Sequence, residues 1–412
     1  MQTTKITSDD QIQDMLDWAL AGQHGLAVQG NASKVSLGRP MAVDAVLDMS
    51  GLTGVQLYEP AELVMKAKAG MKLSEIKAIL DQQGQKLAFE PPDFGPLLGT
   101  AADLGTLGGI FSGNLSGSSR VKSGAARDHL LGVNGFTGRG QTFQTGSRVM
   151  KNVTGYDLCK LVAGSYGTLA IATEMTFKVL PKHDTVRTVL IYGADLPTAV
   201  ACMRDALSSV HDVAAAAFLP AEIAARIPLD YISSPGASVI ALKIEGPKPS
   251  ATFRCEAMRK IMAPFGDIEE LHSHNSQQFW TMTSNAAPFV GETAPLWRLS
   301  VPPANASTVI AAIKEQGTDC LYFTDWAGGL IWVQLVSEKD DGGEAAIRGA
   351  VGAEGHATLI RGSELLRNRI APFQPVSPTV AMLNRRIKEG FDPDNILNPG
   401  RMYLDEEQQR TT

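Results

Sequence analysis

Two glycines three residues apart, Gly164 and Gly167, stand in the strip Gly164-Ser165-Tyr166-Gly167-Thr168, directly ahead of an apolar run. Glycine carries no Cβ, so backbone built from it can approach a ligand closely. The run that follows, Thr168–Leu180, alternates β-branched and apolar residues and predicts a buried strand. A glycine elbow feeding such a strand can cradle a flat, phosphate-bearing cofactor; it is equally a tight turn of any α/β domain. Three other loops bear on that choice. Gln29-Gly30-Asn31-Ala32-Ser33-Lys34 follows the short strand LAVQ. Successive backbone N–H groups in such a turn form an anion-binding concavity, to which Ser33 adds a hydroxyl donor, although a bare surface turn accounts for it as well. Gly105–Gly117, GTLGGIFSGNLSG, holds five glycines (Gly105, Gly108, Gly109, Gly113, Gly117) together with Thr106 and Asn114. So many glycines are costly in entropy, a cost that a purely structural loop need not bear. The last loop is Asn398-Pro399-Gly400-Arg401, for which a solvated tail is the simpler alternative.

Side chains suited to proton transfer or metal binding are scarce. Of seven histidines only His272 and His274 are close in sequence. On a strand, alternate residues share a face, so the two could act together on a metal or a proton. A surface pair followed by Asn-Ser-Gln-Gln explains them more simply. Arg127-Asp128 and Tyr156-Asp157 read as ion-pair or hydrogen-bond anchors, or as aspartates capping turns. Arg148, Lys151 and Lys160 could contact phosphate or a partner; solvated surface is the alternative for each.

The elements that must position these loops follow from periodicity. Ser8-Asp9-Asp10, with Ile12, Met15, Leu16 and Ala19 at helical intervals, predicts a capped amphipathic helix over 8–22. Strands are predicted at Leu26–Gly30, Ala45–Met49 and Leu63–Ala69, and a helix over Leu73–Gln83 ending at Gly84. Beyond Lys182 the glycine content falls and strands alternate with helices to about residue 361, which reads as an α+β layer. Residues 363–390 read as one helical region broken at Pro372–Pro378, ahead of the tail FDPDNILNPGRMY.

Composition narrows the functional classes. With 412 residues there is room for two or three domains, and 44% hydrophobic with 19% charged residues describes a globular chain with a substantial core. A net charge of −6 supplies no basic stripe for nucleic acid. The four cysteines, Cys159, Cys202, Cys255 and Cys320, are widely spaced, with no Cys-x-x-Cys for zinc or an iron–sulfur cluster, and read as buried thiols of a reducing compartment. The polar N-terminus has no signal-peptide core and no apolar run reaches the ~20 residues of a membrane span, so a cytoplasmic location is expected. Neither a nicotinamide-type GxGxxG after the first strand nor a GxxxxGK[ST] is present. A nucleotide would have to be held by backbone loops converging from several places.

Those loops carry a resemblance. Asp48–Gly54 (DMSGLTG), Tyr58–Gly70 (YEPAELVMKAKAG), Phe89–Gly95 (FEPPDFG), Gly105–Gly109 (GTLGG), Gly117, Arg127-Asp128, Met150–Pro181 and the tail are similar to the FAD-binding domain of the vanillyl-alcohol oxidase/PCMH superfamily. More narrowly, the run MKNVTGYDLCKLVAGSYGTL resembles the FAD-binding subunits of bacterial glycolate oxidases, the GlcE type. The resemblance implies an α+β fold: a PCMH-type FAD-binding domain of two α+β subdomains (1–181), a smaller α+β cap-like domain (182–362), and a helix and tail (363–412) packing back on the first. FAD would be non-covalent, since no His or Cys stands in the second loop. Its pyrophosphate would sit on Gly30, Asn31, Ala32, Ser33 and Lys34 and on the Gly105–Gly117 loop. The isoalloxazine and ribityl chain would pass Pro92, Thr106, Gly108, Gly109, Gly113 and Asn114. The adenine would lie near Gly164, Gly167, Thr168, Leu169 and Ile171, with Asn398 and Arg401 closing over the flavin and Arg127-Asp128 anchored behind it. Two departures stand out. The family's first loop is usually Gly-Gly-Gly-Ser-Lys, and alanine at position 32 tolerates a positive φ poorly; the stretch Pro96–Leu104 also looks long.

The implied function is oxidation of a 2-hydroxy acid such as glycolate, with a larger FAD-linked subunit and an iron–sulfur subunit as partners and only peripheral contact with a membrane. Such chemistry needs a cation for the carboxylate and a base for the hydroxyl. In related enzymes these are histidines and a glutamate of a second domain. An assembly or electron-relay role, or a free-standing FAD oxidoreductase of another substrate, are the alternatives.

Overall fold

Ser8 accepts a hydrogen bond from the Gln11 N–H and starts the helix Asp9–Gly22, whose Ile12, Leu16 and Ala19 are buried while Asp9 and Asp10 sit at its positive end. Such one-sided burial recurs throughout the computed structural model, which describes residues 2–147, 155–336 and 339–404. Two units emerge. Unit 1 comprises residues 1–115, 125–182 and 375–412; unit 2 comprises residues 116–124 and 183–374.

Unit 1 contains β1 (Gln2–Lys5), β2 (Leu26–Gln29), β3 (Ala45–Asp48), β4 (Val55–Glu59), β5 (Val64–Lys68), β6 (Gln85–Lys86), β7 (Leu130–Thr137), β8 (Thr142–Gly146), β9 (Ala170–Lys178) and β10 (Leu180–Pro181). Strands β1, β3 and β2 form a small parallel sheet in that order, and β4-β5-β9-β7-β8 a larger antiparallel one. Leu16, Leu26, Leu47, Phe136, Ile171 and Leu397 meet in one core that ties the helix, both sheets and the tail together. The sequence reading passes over β7 because Gly132, Asn134 and Gly135 interrupt its apolar pattern. Gly135 is required there: a Cβ would lie 2.1 Å from the Ile171 carbonyl oxygen of the neighbouring strand.

Unit 2 is built on one eight-stranded antiparallel sheet, ordered β14-β11-β13-β12-β16-β17-β15-β18. Its strands are β11 (Thr185–Tyr192), β12 (Ala215–Leu219), β13 (Val239–Gly246), β14 (Asp267–His272), β15 (Leu296–Ser300), β16 (Cys320–Asp325), β17 (Leu330–Leu335) and β18 (His356–Arg361). Because side chains alternate, the sheet has two different faces. Val189, Ile191, Ile240, Leu242 and Ile244 join the buried faces of the helices Leu196–Leu207, Lys248–Met262 and Ala306–Glu315 in an apolar core. Thr188 and Lys243, paired across β11 and β13, lie on the opposite face with Glu245. Residues 363–374, grouped with the tail in the sequence reading, belong to unit 2, where Arg348 holds the Phe373 carbonyl (3.0 Å) and the Gln374 side chain (2.8 Å). The tail helix proper is Pro378–Phe391. No helix among the described residues is long and apolar enough to cross a membrane.

Candidate functional site

A Cβ on Gly30 would lie 2.5 Å from Thr106 Oγ1, so glycine lets the turn after β2 pack directly on the start of the helix Leu107–Ser112. Thr106 caps that helix, its Oγ1 accepting from the Gly109 N–H at 3.2 Å. Asn31 Nδ2 donates to the Leu104 carbonyl (3.1 Å) and binds the same two loops. Ala32 adopts φ +58°, the left-handed conformation that an L-residue enters at a cost of roughly 1–2 kcal/mol. Lys34 Nζ donates to Ser33 Oγ (3.1 Å) and would stand 3.4 Å from a Cβ on Gly109, so that glycine keeps room beside the ammonium.

From the tail, Arg401 reaches back into the same place. It donates to the carbonyls of Lys34 (3.0 Å), Leu37 (3.3 Å) and Tyr166 (3.4 Å). Asn398, at φ +44°, accepts from the Val28 N–H (2.8 Å) and donates to the Tyr166 carbonyl (2.8 Å). A Cβ on Gly167 would lie 2.7 Å from Asn398 Nδ2, which is why the elbow needs its second glycine. Burial pushes the Lys34 ammonium down to about 8; Asp93 opposes that shift and the Arg401 charge adds to it.

Eleven residues singled out in the sequence therefore line one open cleft of unit 1: Gly30, Asn31, Ala32, Ser33, Lys34, Thr106, Gly108, Gly109, Gly113, Gly167 and Arg401. The others stand elsewhere. Asn398 is fully buried behind the cleft wall, and Ile171 lies in the unit 1 core. Asn114 Oδ1 accepts from the Arg127 N–H (2.9 Å) and Asp128 from the Ala125 N–H (2.8 Å), so these residues brace a turn. Thr168 Oγ1 closes the elbow on the Ser165 carbonyl (2.7 Å), while Gly164 donates its N–H to Phe111 (3.0 Å). Leu169 and Pro92 are buried. Gly117 belongs to unit 2, where its carbonyl receives the Trp326 indole N–H (3.0 Å).

Lys160 Nζ serves the Arg127 (2.6 Å) and Leu130 (2.9 Å) carbonyls, whereas Arg148 and Lys151 lie outside the described residues. His272 and His274 do not share a strand face: β14 ends at His272 and a helix starts at Ser273. Tyr166, Ala69, Ala170 and Ala172 line the cleft without having been singled out as ligand residues. Tyr166 was legible as the residue between the two elbow glycines. The alanines carry no signal until the pairing of β5 with β9 is known. All four cysteines are free and buried, and burial holds the Cys202 and Cys255 thiols up at about 12.

A dianion fits this cleft, since two cations converge on glycine-rich backbone with a left-handed turn between them. Comparison with known proteins gives that chemistry a class. Residues 3–146 match the family model of an FAD binding domain, and residues 374–402 that of the C-terminal domain of FAD linked oxidases. The 4-ethylphenol oxidase of Gulosibacter chungangensis superposes with a TM-score of 0.72 at 13% identity, covering 98% of this chain and 90% of that one. An alkyldihydroxyacetonephosphate synthase superposes at 0.68 and 17%, covering 96% and 75%. Fold and site together define an FAD-dependent oxidoreductase with a PCMH-type α+β fold. The chain belongs to the family of the glycolate oxidase subunit GlcE: it is 30% identical to that protein of Escherichia coli K12 over 396 residues, 95% of this chain and 96% of the relative. The glycolate oxidase subunit GlcD of Bacillus subtilis is 24% identical over 350 residues, covering 78% of this chain and 72% of that protein.

Proposed function

We propose that this chain is the FAD-holding subunit of a multi-subunit oxidoreductase that converts a 2-hydroxy acid of the glycolate class to its 2-oxo acid. The observation that carries the reading is the convergence of Lys34 and Arg401 on the glycine loops of one cleft, in a chain similar to GlcE over nearly its whole length. The turn Gly30–Lys34, with Thr106, Gly108, Gly109 and Arg401, would hold the diphosphate. Gly113 and Gly167 would let backbone approach the rest of the cofactor. Asn114, Arg127, Asp128 and Asn398 would support those loops from behind. FAD, when bound, supplies a two-electron acceptor. Lys34 and Arg401 neutralise its diphosphate, and the half-buried cleft strengthens both interactions relative to water.

Oxidation of the hydroxy acid releases two electrons and two protons. With no Cys-x-x-Cys in this chain, the electrons would leave through partners, a larger FAD-linked subunit and an iron–sulfur subunit. Any contact with a membrane would then be peripheral and through them. The test is the absorbance spectrum of the chain purified alone, reconstituted with FAD and mixed anaerobically with glycolate. Bleaching without partners places oxidation on this chain. Bleaching only after partner subunits are added assigns it the electron-relay role. Failure to take up FAD contradicts the proposal.

A further inference from the structure

The glycine elbow of unit 1 turns through three left-handed residues: Gly164 at φ +87°, Tyr166 at +53° and Gly167 at +73°. Glycine takes such a conformation freely, whereas a bulky residue in it is a strained outlier. Strain of this kind persists only where the surroundings over-determine it, and it clusters where ligands bind. Three hydrogen bonds hold it here. The Tyr166 N–H donates to the Ser112 carbonyl (2.9 Å), and the Tyr166 carbonyl accepts from Asn398 Nδ2 (2.8 Å) and Arg401 Nη1 (3.4 Å). All of these partners belong to unit 1.

Those bonds explain how position 166 is held, not why it carries a ring. Glycine would make the same three bonds without strain. Among the described residues the ring is no part of the apolar core around Leu16 and Leu397. It is half-buried and lines the cleft together with Gly167, Ala170 and Ala172, whose small side chains leave room beside it. The Arg401 guanidinium lies 5.9 Å from the ring centre, within cation–π reach, and orients the ring. An aromatic ring on a cleft wall, next to one of the two cations proposed for the diphosphate, suits a flat heteroaromatic group, because stacking asks only for two π faces. FAD has two such groups, one at each end of its diphosphate. The elbow end is walled in by the tail, with Asn398 fully buried behind it. A closed end suits the inert adenine, whereas the flavin must stay open to the substrate that it oxidises.

We propose that Tyr166 is the adenine platform of the cleft: its ring stacks on the purine of the bound dinucleotide, and Arg401 serves both that ring and the neighbouring phosphate. The proposal rests on the FAD reading above. It adds a residue that selects the dinucleotide over a flavin mononucleotide.

The experiment titrates the cofactor-free full chain with FAD, read by flavin absorbance, and with ADP, read by calorimetry. FMN, a flavin without adenine, is titrated in parallel. Tyr166→Phe keeps the ring and should bind FAD and ADP as the wild type does. Tyr166→Gly makes the same turn without a ring. It should weaken FAD and ADP roughly fivefold to a hundredfold, the range for taking an aromatic partner from a base, and leave FMN unchanged. Where the glycine variant fails to fold, Tyr166→Leu keeps bulk without a π face, and weakening of about fivefold or more is still expected. Wild-type affinity for FAD and ADP in the ring-less variants overturns the proposal and leaves the FAD cleft standing. So does a wild type that takes up FAD but no ADP. Weakened FAD and FMN binding with unchanged ADP binding overturns it as well, by moving the ring to the flavin. A wild-type chain that takes up no FAD sinks the cofactor reading itself, and the proposal with it.

Discussion

Ala32 occupies the turn after β2, and the structure puts it at φ +58°. Replacing it with glycine removes left-handed strain while adding unfolded-state entropy. Ala32→Gly should therefore stabilise the protein by about 0.5–1 kcal/mol in urea titrations. Lys34 carries a sharper signature. Its ammonium is held down near 8 by burial, against an ordinary value of 10.5. Between those two values the unfolded chain binds the proton and the folded chain does not, so the stability of the FAD-free protein should rise with pH from about 8 to 10.5. A bound diphosphate favours the charged amine. FAD affinity should then fall as pH rises through about 8, with proton uptake on binding measurable by calorimetry in buffers of different ionisation enthalpy. Lys34→Gln should abolish both dependences.

At the scale of elements, the site depends on a tail strapped back by one buried carboxylate. Asp392 is 1% exposed; it takes an ion pair from Lys388 (2.6 Å) and the N–H groups of Ile396 (3.0 Å) and Leu397 (2.8 Å). Lys388 also holds the Thr168 (2.7 Å) and Leu397 (3.2 Å) carbonyls, so the elbow and the tail share one cation. Asp392→Ala should cost about 3–5 kcal/mol in thermal or urea unfolding, because it takes the carboxylate from the Lys388 ion pair and the acceptor from two buried amides. Gly138→Ala should do comparable damage, since its Cβ would meet Asp392 Oδ1 at 2.3 Å. Little of this strap could be read from the sequence. FDPDNILNPGR announces a turn, but not that its first aspartate is buried or that Asn398 hydrogen-bonds Val28, 370 residues away. The glycine loops were legible because local backbone geometry demands their residue types. His272 and His274 are exposed, in keeping with the simpler surface reading, and a shared strand face is ruled out because β14 hands over to a helix at Ser273.

Across the whole molecule, the candidate FAD cleft is made by unit 1 chiefly from four separated stretches of chain, around residues 28–37, 106–113, 166–172 and 401, with Met49 and Ala69 completing its lining. Helix periodicity and the apolar strands of both units could be read locally. The order of the eight-stranded sheet could not, because it depends on non-local pairings such as β12 with β16. The same holds for Ser116–Gly124, which leaves unit 1 in mid-sequence to join unit 2. If one cleft gathers those four stretches around FAD, saturating cofactor at a hundred times its Kd should stabilise the fold by about 2.7 kcal/mol. Hydrogen exchange should slow in all four stretches together. The most direct test is a spectroscopic titration of cofactor-free chain with FAD, alongside Arg401→Gln and Lys34→Gln. The structure predicts one FAD per chain, released intact on denaturation, with affinity lowered at least tenfold in each variant, about the loss of one charge-assisted contact. A wild-type chain that takes up no FAD, or variants that bind it as tightly as the wild type, would contradict the assignment of this cleft.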